Sequence, residues 1–341
     1  MWFYLLIMVL VFGILIFIHE FGHFITARAC GVHVKEFAIG MGPKLFSWKS
    51  KKHGTSYGLR LFPIGGFVSM EGEDEESDSQ HAFCNKSVPK RMIIVAAGAV
   101  MNLLLGFALM MTLVFSQGTL ASNKIGRFDE NAISSEKLCV GDEIVKIGSV
   151  RVHVWEETVY EILNQGYEPI DITVVRNGEK IRIEDVSFGT MEESGAVFGT
   201  CDFVPYAEAR TFPNLIKHGF YRSLSTVKMV LDSLIGMLNG RFGLEAVSGP
   251  VGVAEVVGDA AKSGIPQLIY IVSILSINLG VFNLIPFPAL DGGRFLLLIV
   301  EGIRKKPLPK NVESYINFVG IIILFAFMIF ITCKDIFKLI F

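Results

Sequence analysis

Charge is what this sequence has least of. Asp, Glu, Lys and Arg make up 19% of its 341 residues, against about 25% in soluble domains. Hydrophobic residues reach 51%, and the mean hydropathy is +0.51. The shortage is uneven, because residues 1–18, 92–123, 263–290 and 314–333 carry no charged side chain at all. Each stretch holds an apolar core of about 20 residues, enough to cross a bilayer roughly 30 Å thick. This excludes a purely soluble globular protein and a disordered chain. No excess of positive charge exists either: the net charge is −2, which argues against the basic domain or stripe of a nucleic-acid binder. Cysteine is scarce, with five residues at 30, 84, 139, 201 and 333 and no CxxC pair. That excludes a disulfide framework. A Cys139–Cys201 bridge is open only if the central region is extracytoplasmic, and five separate thiols is the simpler reading.

The four apolar stretches are expected spans of a polytopic α-helical membrane protein. Short loops rich in Lys and Arg stay cytoplasmic. The 30–91 loop has nine Lys or Arg, and 301–313 has Arg304, Lys305, Lys306 and Lys310. Both loops then lie inside, which puts both termini and the long 120–262 region outside. The first stretch lacks a basic start and a small-residue cleavage site, so it reads as a retained helix.

Between the spans, 34–70 alternates and is rich in Gly and aromatics. A turn at Lys52-His53-Gly54-Thr55 suggests one or more β-hairpins. Its apolar side chains (Phe37, Ile39, Phe46, Trp48, Leu59, Leu61, Phe62) suggest a membrane-associated region, and the acidic run 71–80 reads as a solvated loop. Residues 124–186 look like a small α+β domain, with strands at Glu143–Ile147, Ile170–Val175 and Ile181–Val186 and a helix at Glu156–Leu163. The piece LCVGDEIVKIGSVRVHVWEETVYEIL resembles the Gly-Asp-x-Ile segment of PDZ domains, which bind peptides by strand addition. A groove is expected near Ile125, Gly126, Arg127 and Phe128. Apolar residues at 216, 220, 224, 227, 231, 234 and 238 recur at helical spacing. They suggest an amphipathic helix over 213–239, either lying on the outer leaflet or packing on the soluble domain.

The expected boundaries are a first span at 1–30, the hairpin loop at 31–91 and a second span at 92–117. The PDZ-like domain follows at 118–190, then a connecting region at 191–262. A third span takes 263–300, a loop 301–313, and a fourth span with the C-terminus 314–341.

At the end of the first charge-free stretch stands His19-Glu20-Phe21-Gly22-His23. Positions i and i+4 share a helix face, so both imidazoles can reach one Zn²⁺, and Glu20 beside them is the expected general base. Chance predicts roughly 0.01 such HExxH matches in a chain like this one. Ionisable groups inside an apolar helix are costly and mark function. A hydrolytic zinc takes three protein ligands. His33, His53, His81, His153 and His218 lie in loops or the outer region. Asp291, in NLGVFNLIPFPALDGGRF, is the carboxylate within the later spans. The first and third spans run in the same direction, so both groups come toward the inner ends of their spans. Pro286 and Pro288 are expected to break the helix before Asp291, and Gly292-Gly293 to loosen it afterwards. Asp291 could equally cap a following helix. Glu255 and Glu301 are alternative third ligands. A membrane PDZ adaptor without activity and a transporter are the competing non-enzymes. Neither HExxH nor NxxPxPxLDG has a second copy, which counts against the inverted repeats of a transporter.

HEFGH together with NLIPFPALDGG, PIGGFVSM and GPVGVAEVVG resembles the site-2 protease family of intramembrane zinc metalloproteases. The likeness is greatest to the bacterial branch containing the regulator-of-sigma-E protease. The resemblance implies one Zn²⁺ held by His19, His23 and Asp291, with Glu20 as the catalytic residue. It implies substrate contacts at Asn283, at the strand Gly65-Gly66-Phe67-Val68, and at Asn102 of AAGAVMN. In that last motif Ala99 stands where the family often has proline. The implied substrates are single-span membrane proteins, anti-sigma factors or signal-peptide remnants, cut after a site-1-type protease has trimmed them. The implied location is the bacterial inner membrane, with the active site near the cytoplasmic leaflet and lipids as its other partner.

Overall fold

The computed structural model describes residues 2–340 apart from 74, 76, 194, 244, 246, 307 and 308. Two of the acidic residues in the 71–80 run therefore lie outside the described residues, as does the side chain of Phe62. Two compact units emerge, one of residues 1–106 with 248–341 and the other of residues 107–247.

In the first unit, α1 (Trp2–Ala29) contains no proline and runs unbroken through HEFGH. It stops at Gly31, whose φ of 73° suits a left-handed C-cap. Val32 N–H then bonds back to the Ala27 carbonyl at 2.8 Å, closing the last turn. The helices α2 (Val88–Ser116), α6 (Ile265–Leu284) and α8 (Lys310–Ile340) are likewise long and apolar. With α1 they are the four described helices long and apolar enough to cross a membrane.

Lipid tails offer apolar helices no hydrophobic reason to associate, so small residues and interhelical hydrogen bonds carry the packing. Glycines let the backbones approach. A Cβ on Gly22 would come within 2.4 Å of the Ala97 carbonyl oxygen, and one on Gly106 within 2.5 Å of Ile277. Ser273 and Ser276 on α6 donate hydroxyl protons to the Gly106 and Asn102 carbonyls of α2, at 2.8 and 2.7 Å. The GPVGVAEVVG segment forms α5 (Pro250–Ser263) and belongs with these helices, Val257 packing with Val11 and Leu15 of α1. Its first turn is capped from a distance: Asp335 of α8 accepts from the Gly249 and Gly252 amides at 2.9 and 3.0 Å.

The expected third span is interrupted. It ends as α6 at Leu284, and α7 (Asp291–Arg304) starts anew after Pro286 and Pro288. Gly292 and Gly293 do not loosen the chain as anticipated. They open α7, and a Cβ on either would fall 2.2 Å from a carbonyl of the preceding loop, Ile285 or Phe287. Their function is close approach of a helix start to the loop that feeds it.

Strands β1 (Val34–Lys49) and β2 (Ser56–Met70) form the expected hairpin, turning at Gly54 with φ 69°. Each strand is used twice. Residues 34–39 pair on one side with 66–70 and on the other with 56–59, which pair in turn with 46–49. The result is a four-segment sheet with 66–70 at one edge. A row of aromatic rings, with Phe24 and Phe37 at 4.9 Å and Trp48 and Tyr57 at 5.4 Å, joins α1 to this sheet.

The second unit holds a sheet in the order β10-β3-β4-β6-β7, with β5 on β4. Its strands are β3 (Leu120–Phe128), β4 (Glu143–Ile147), β5 (Val150–Arg151), β6 (Ile170–Arg176), β7 (Glu179–Val186) and β10 (Phe203–Glu208). Helix α3 (Trp155–Gln165) and the hairpin of β8 (Gly189–Glu193) and β9 (Ala196–Thr200) complete it. Asn177 and Gly178 take φ 53° and 87°, as a tight turn between β6 and β7 requires. Because β10 pairs with β3, the sheet continues past the expected boundary at 190.

The Asp142 carboxylate is fully buried and gripped by Arg176 through two bonds of 2.7 and 2.8 Å. Burial works against its charge. The hydrogen bonds from Arg176 prevail and hold the carboxyl below its ordinary range. All five cysteines are free thiols.

Helix α4 (Phe212–Leu238) carries its polarity inside out. His218, Ser223, Ser225 and Thr226 are buried, whereas Ile216, Phe220, Leu224, Leu231 and Leu238 of the anticipated stripe are exposed. Lys228 and Asp232 on the inner side reach α3, at Glu161 (2.8 Å) and Tyr160 (3.0 Å).

Candidate metal centre

His19 and His23 lie one turn apart on α1, and the first residue of α7, Asp291, meets them. Its Oδ2 stands 3.0 Å from His19 Nε2 and 3.3 Å from His23 Nε2, and the two Nε2 atoms are 3.2 Å apart. Among the described residues this is the group of His, Cys, Asp and Glu side chains whose ligand atoms converge closely enough to hold a metal ion. Four tetrahedral ligands at the 2.0–2.1 Å typical of zinc stand about 3.3 Å apart. The three separations therefore fit three corners of a zinc tetrahedron. Asp291 Oδ2 is buried without a hydrogen-bond partner, which suits a ligand atom and no ordinary carboxylate. Glu301, one alternative third ligand, is committed elsewhere: both its oxygens pair with the Arg91 guanidinium.

Groups behind the histidines orient them. The Ile94 carbonyl lies 2.8 Å from His23 Nδ1 and accepts its proton, which leaves Nε2 free to ligate. The fully buried Asn102 places its side-chain amide nitrogen 3.4 Å from His19 Nδ1, and its oxygen has no partner. A histidine ligating through Nε2 keeps its proton at Nδ1, so the amide oxygen belongs on that side. The two ends of an amide exchange by a simple half-turn. Asn102, expected among the substrate contacts, thus stands fully buried beside His19.

Glu20, next to His19 on α1, faces the hairpin edge near Gly66 and the Val68 backbone. Gly66 lies so close that a Cβ would sit 3.3 Å from Glu20 Cγ. A polar cavity of about 260 Å³ opens beside Asp291, lined by Glu73, Arg294, Glu313 and Asn317 among others. Arg294 spans it, 2.5 Å from Glu73 and 3.6 Å from Glu313.

The model of peptidase family M50 matches residues 7–327. The chain belongs to peptidase family M50. This is the site-2 protease family, and the chain is accordingly a zinc-dependent protease of the membrane. A protein of Clostridium acetobutylicum provisionally named a zinc metalloprotease is 37% identical over 337 residues, 98% of this chain and 97% of that one. The regulator of sigma-W protease RasP of Bacillus subtilis is 29% identical over 415 aligned positions, covering 97% of each chain. The zinc metalloprotease RasP of Shouchella clausii is 30% identical, covering 98% of this chain and 99% of its own. The alignments to the RasP proteins run longer than 341 residues, so those relatives carry inserted segments that this M50 chain lacks.

The other expected site residues are placed variously. Of Gly65–Val68, Gly66 and the Val68 backbone lie beside Glu20, while Gly65 meets Met41 and the Phe67 ring lies under Arg60 at 4.4 Å. Asn283 donates its side-chain amide to the Leu279 carbonyl of its own helix at 2.9 Å. The anticipated groove residues Ile125–Phe128 end β3, which pairs with β10 along its length and with β4 at Lys124, and Ile125 is fully buried.

A further residue escaped sequence reading. Gly98 faces the metal-binding atoms, and a Cβ there would fall 2.4 Å from His23 Nε2 and 2.7 Å from His19 Nε2. Gly98→Ala is therefore expected to displace an imidazole and to lower zinc content in purified protein. The same change at Gly118, where a Cβ meets nothing within 4 Å, serves as the control and should leave zinc unaltered. Equal zinc in both variants would show that the site yields to the methyl group.

Proposed function

We propose that this M50 protease hydrolyses peptide bonds within the transmembrane segments of single-span membrane proteins. In this reading His19, His23 and Asp291 hold the zinc and Glu20 is the general base. The observation that carries it is the convergence of the three donor atoms on one point, with Glu20 alongside. When bound, zinc supplies Lewis-acid activation of the attacking water and of the scissile carbonyl. Glu20 takes the proton from the water and passes it to the departing amine.

A helical substrate hides its carbonyls in hydrogen bonds, so it must be held extended to be cut. The edge strand 66–70 suits this, since a segment added there runs beside Glu20. The relative named for sigma-W regulation supports anti-sigma factors as the substrate class, and signal-peptide remnants are chemically equivalent. The loop charges support a four-span topology with both termini extracytoplasmic and the site toward the cytoplasmic leaflet. The second unit then forms an outer PDZ-like domain. The exposed apolar face of α4 lies on the outer leaflet, and together they turn away substrates not yet trimmed by a first protease.

The test is cleavage of a model single-span protein in reconstituted membranes. Wild-type enzyme should cut inside the span, lose activity to a chelator and regain it with zinc. Cleavage confined to sequences outside the span would refute the reading.

A further inference from the structure

A second polar cavity, of about 570 Å³, lies where α1 leaves its apolar run and meets the hairpin turn. Arg28 of α1, Lys52 and His53 of the turn, and His33 and His81 line it, with Glu71 as the carboxylate among them. The charges do not cancel. Glu71 is already bonded to Ser77 and His33, each at 3.1 Å. Among the described residues, neither Arg28 nor Lys52 has a carboxylate within ion-pairing distance; Arg28 rests instead over the Phe24 ring at 5.4 Å. His81, which also lines the cavity, engages the Gly31 carbonyl through its Nδ1 at 3.1 Å. Slight desolvation and the charges of Arg28 and Lys52 hold His53 below its ordinary range, a sign that these groups share one positive field.

Two permanent cations without an anionic partner among the described residues, lining a cavity flanked by imidazoles, select an oxyanion. An arginine fork and a lysine point charge suit phosphate in particular. We propose that this cavity binds a phosphate group, through Arg28 and Lys52 with the histidines as flanking donors. A phospholipid headgroup and a soluble phosphate offer the same chemistry. The surroundings favour the first, because Leu45, Phe46 and Trp48 of the same hairpin are exposed apolar side chains, and tryptophan concentrates at membrane interfaces. The occupant would tie the end of α1 to the hairpin whose far edge lies beside Glu20. This site is separate from the metal centre and does not depend on what the enzyme cuts.

The experiment uses the full chain in zwitterionic micelles and native mass spectrometry. The probes are short-chain phosphatidylglycerol, phosphatidylcholine of the same chain length, and inorganic phosphate. Phosphatidylglycerol should be retained about tenfold over phosphatidylcholine, whose choline sets a positive charge beside Arg28 and Lys52. Arg28→Gln with Lys52→Gln should erase that preference. Lys305→Gln with Lys306→Gln, in the 301–313 loop, should keep it. The charge-retaining pair Arg28→Lys and Lys52→Arg should also keep it, which separates loss of binding from loss of fold. Competition by millimolar phosphate would assign the site to a soluble anion, and its absence to the lipid. Equal retention of both lipids by wild type together with no phosphate adduct would overturn the proposal. So would an unchanged preference in the doubly neutralised variant.

Discussion

Glu20→Gln is expected to reduce hydrolysis by at least about 10²–10⁴-fold, the usual worth of a positioned general base, while zinc stays bound. The substitution keeps the size of the side chain and removes its basicity. The three converging donor atoms belong to His19, His23 and Asp291, so the metal site is untouched. The glutamine carbonyl keeps an acceptor toward the Val68 backbone, and its unchanged size leaves the contact with Gly66 in place. The measurement pairs single-turnover cleavage of a membrane-spanning substrate with zinc content by elemental analysis. Full activity in the variant would remove Glu20 from the chemistry, and lost zinc would make it a ligand.

Asp291→Asn should show the opposite pattern, losing zinc first and activity as a result. A residue standing behind a ligand typically contributes 10–100-fold to metal affinity, and a ligand itself should cost more than about 100-fold. The neutral amide also gives up a favourable position, since a carboxylate in the first turn of α7 faces the positive end of the helix. That second effect is worth only about 0.5 kcal/mol and will not unfold the chain. Titrating zinc into chelator-stripped variants distinguishes the two residues. Wild-type zinc affinity in Asp291→Asn would mean that another group supplies the third ligand.

The parts of this site that the sequence made legible are those whose logic is local or exceptional. The i, i+4 spacing of His19 and His23 is a property of one helix. Asp291 stood out as a carboxylate among apolar residues. The hairpin declared itself through Gly54, and β6 and β7 through the strand runs Ile170–Val175 and Ile181–Val186. What escaped depends on contacts between distant segments. Gly98 in an apolar helix looks like any small residue until α1 is laid against it. β10 contains Pro205 and pairs with a strand about 80 residues earlier, so nothing local marks it as the edge of the sheet. For the same reason no motif could show that Ile125 is fully buried beneath β10 and β4. The apolar stripe of α4 was visible, but not which face it turned outward, because helical periodicity is blind to direction.

The origin of the three donor atoms has a mechanical consequence. Two of them ride on one rigid rod, a single turn apart, so their spacing is set by the pitch of α1 and scarcely varies. The third stands at the start of a short helix, held by a proline-stiffened loop that two glycines allow to seat tightly. The shape of the site thus has one soft coordinate, the displacement of the beginning of α7 relative to α1. In the proposed site, a strain that shifts the start of α7 would change the spacing of the three donor atoms through Asp291.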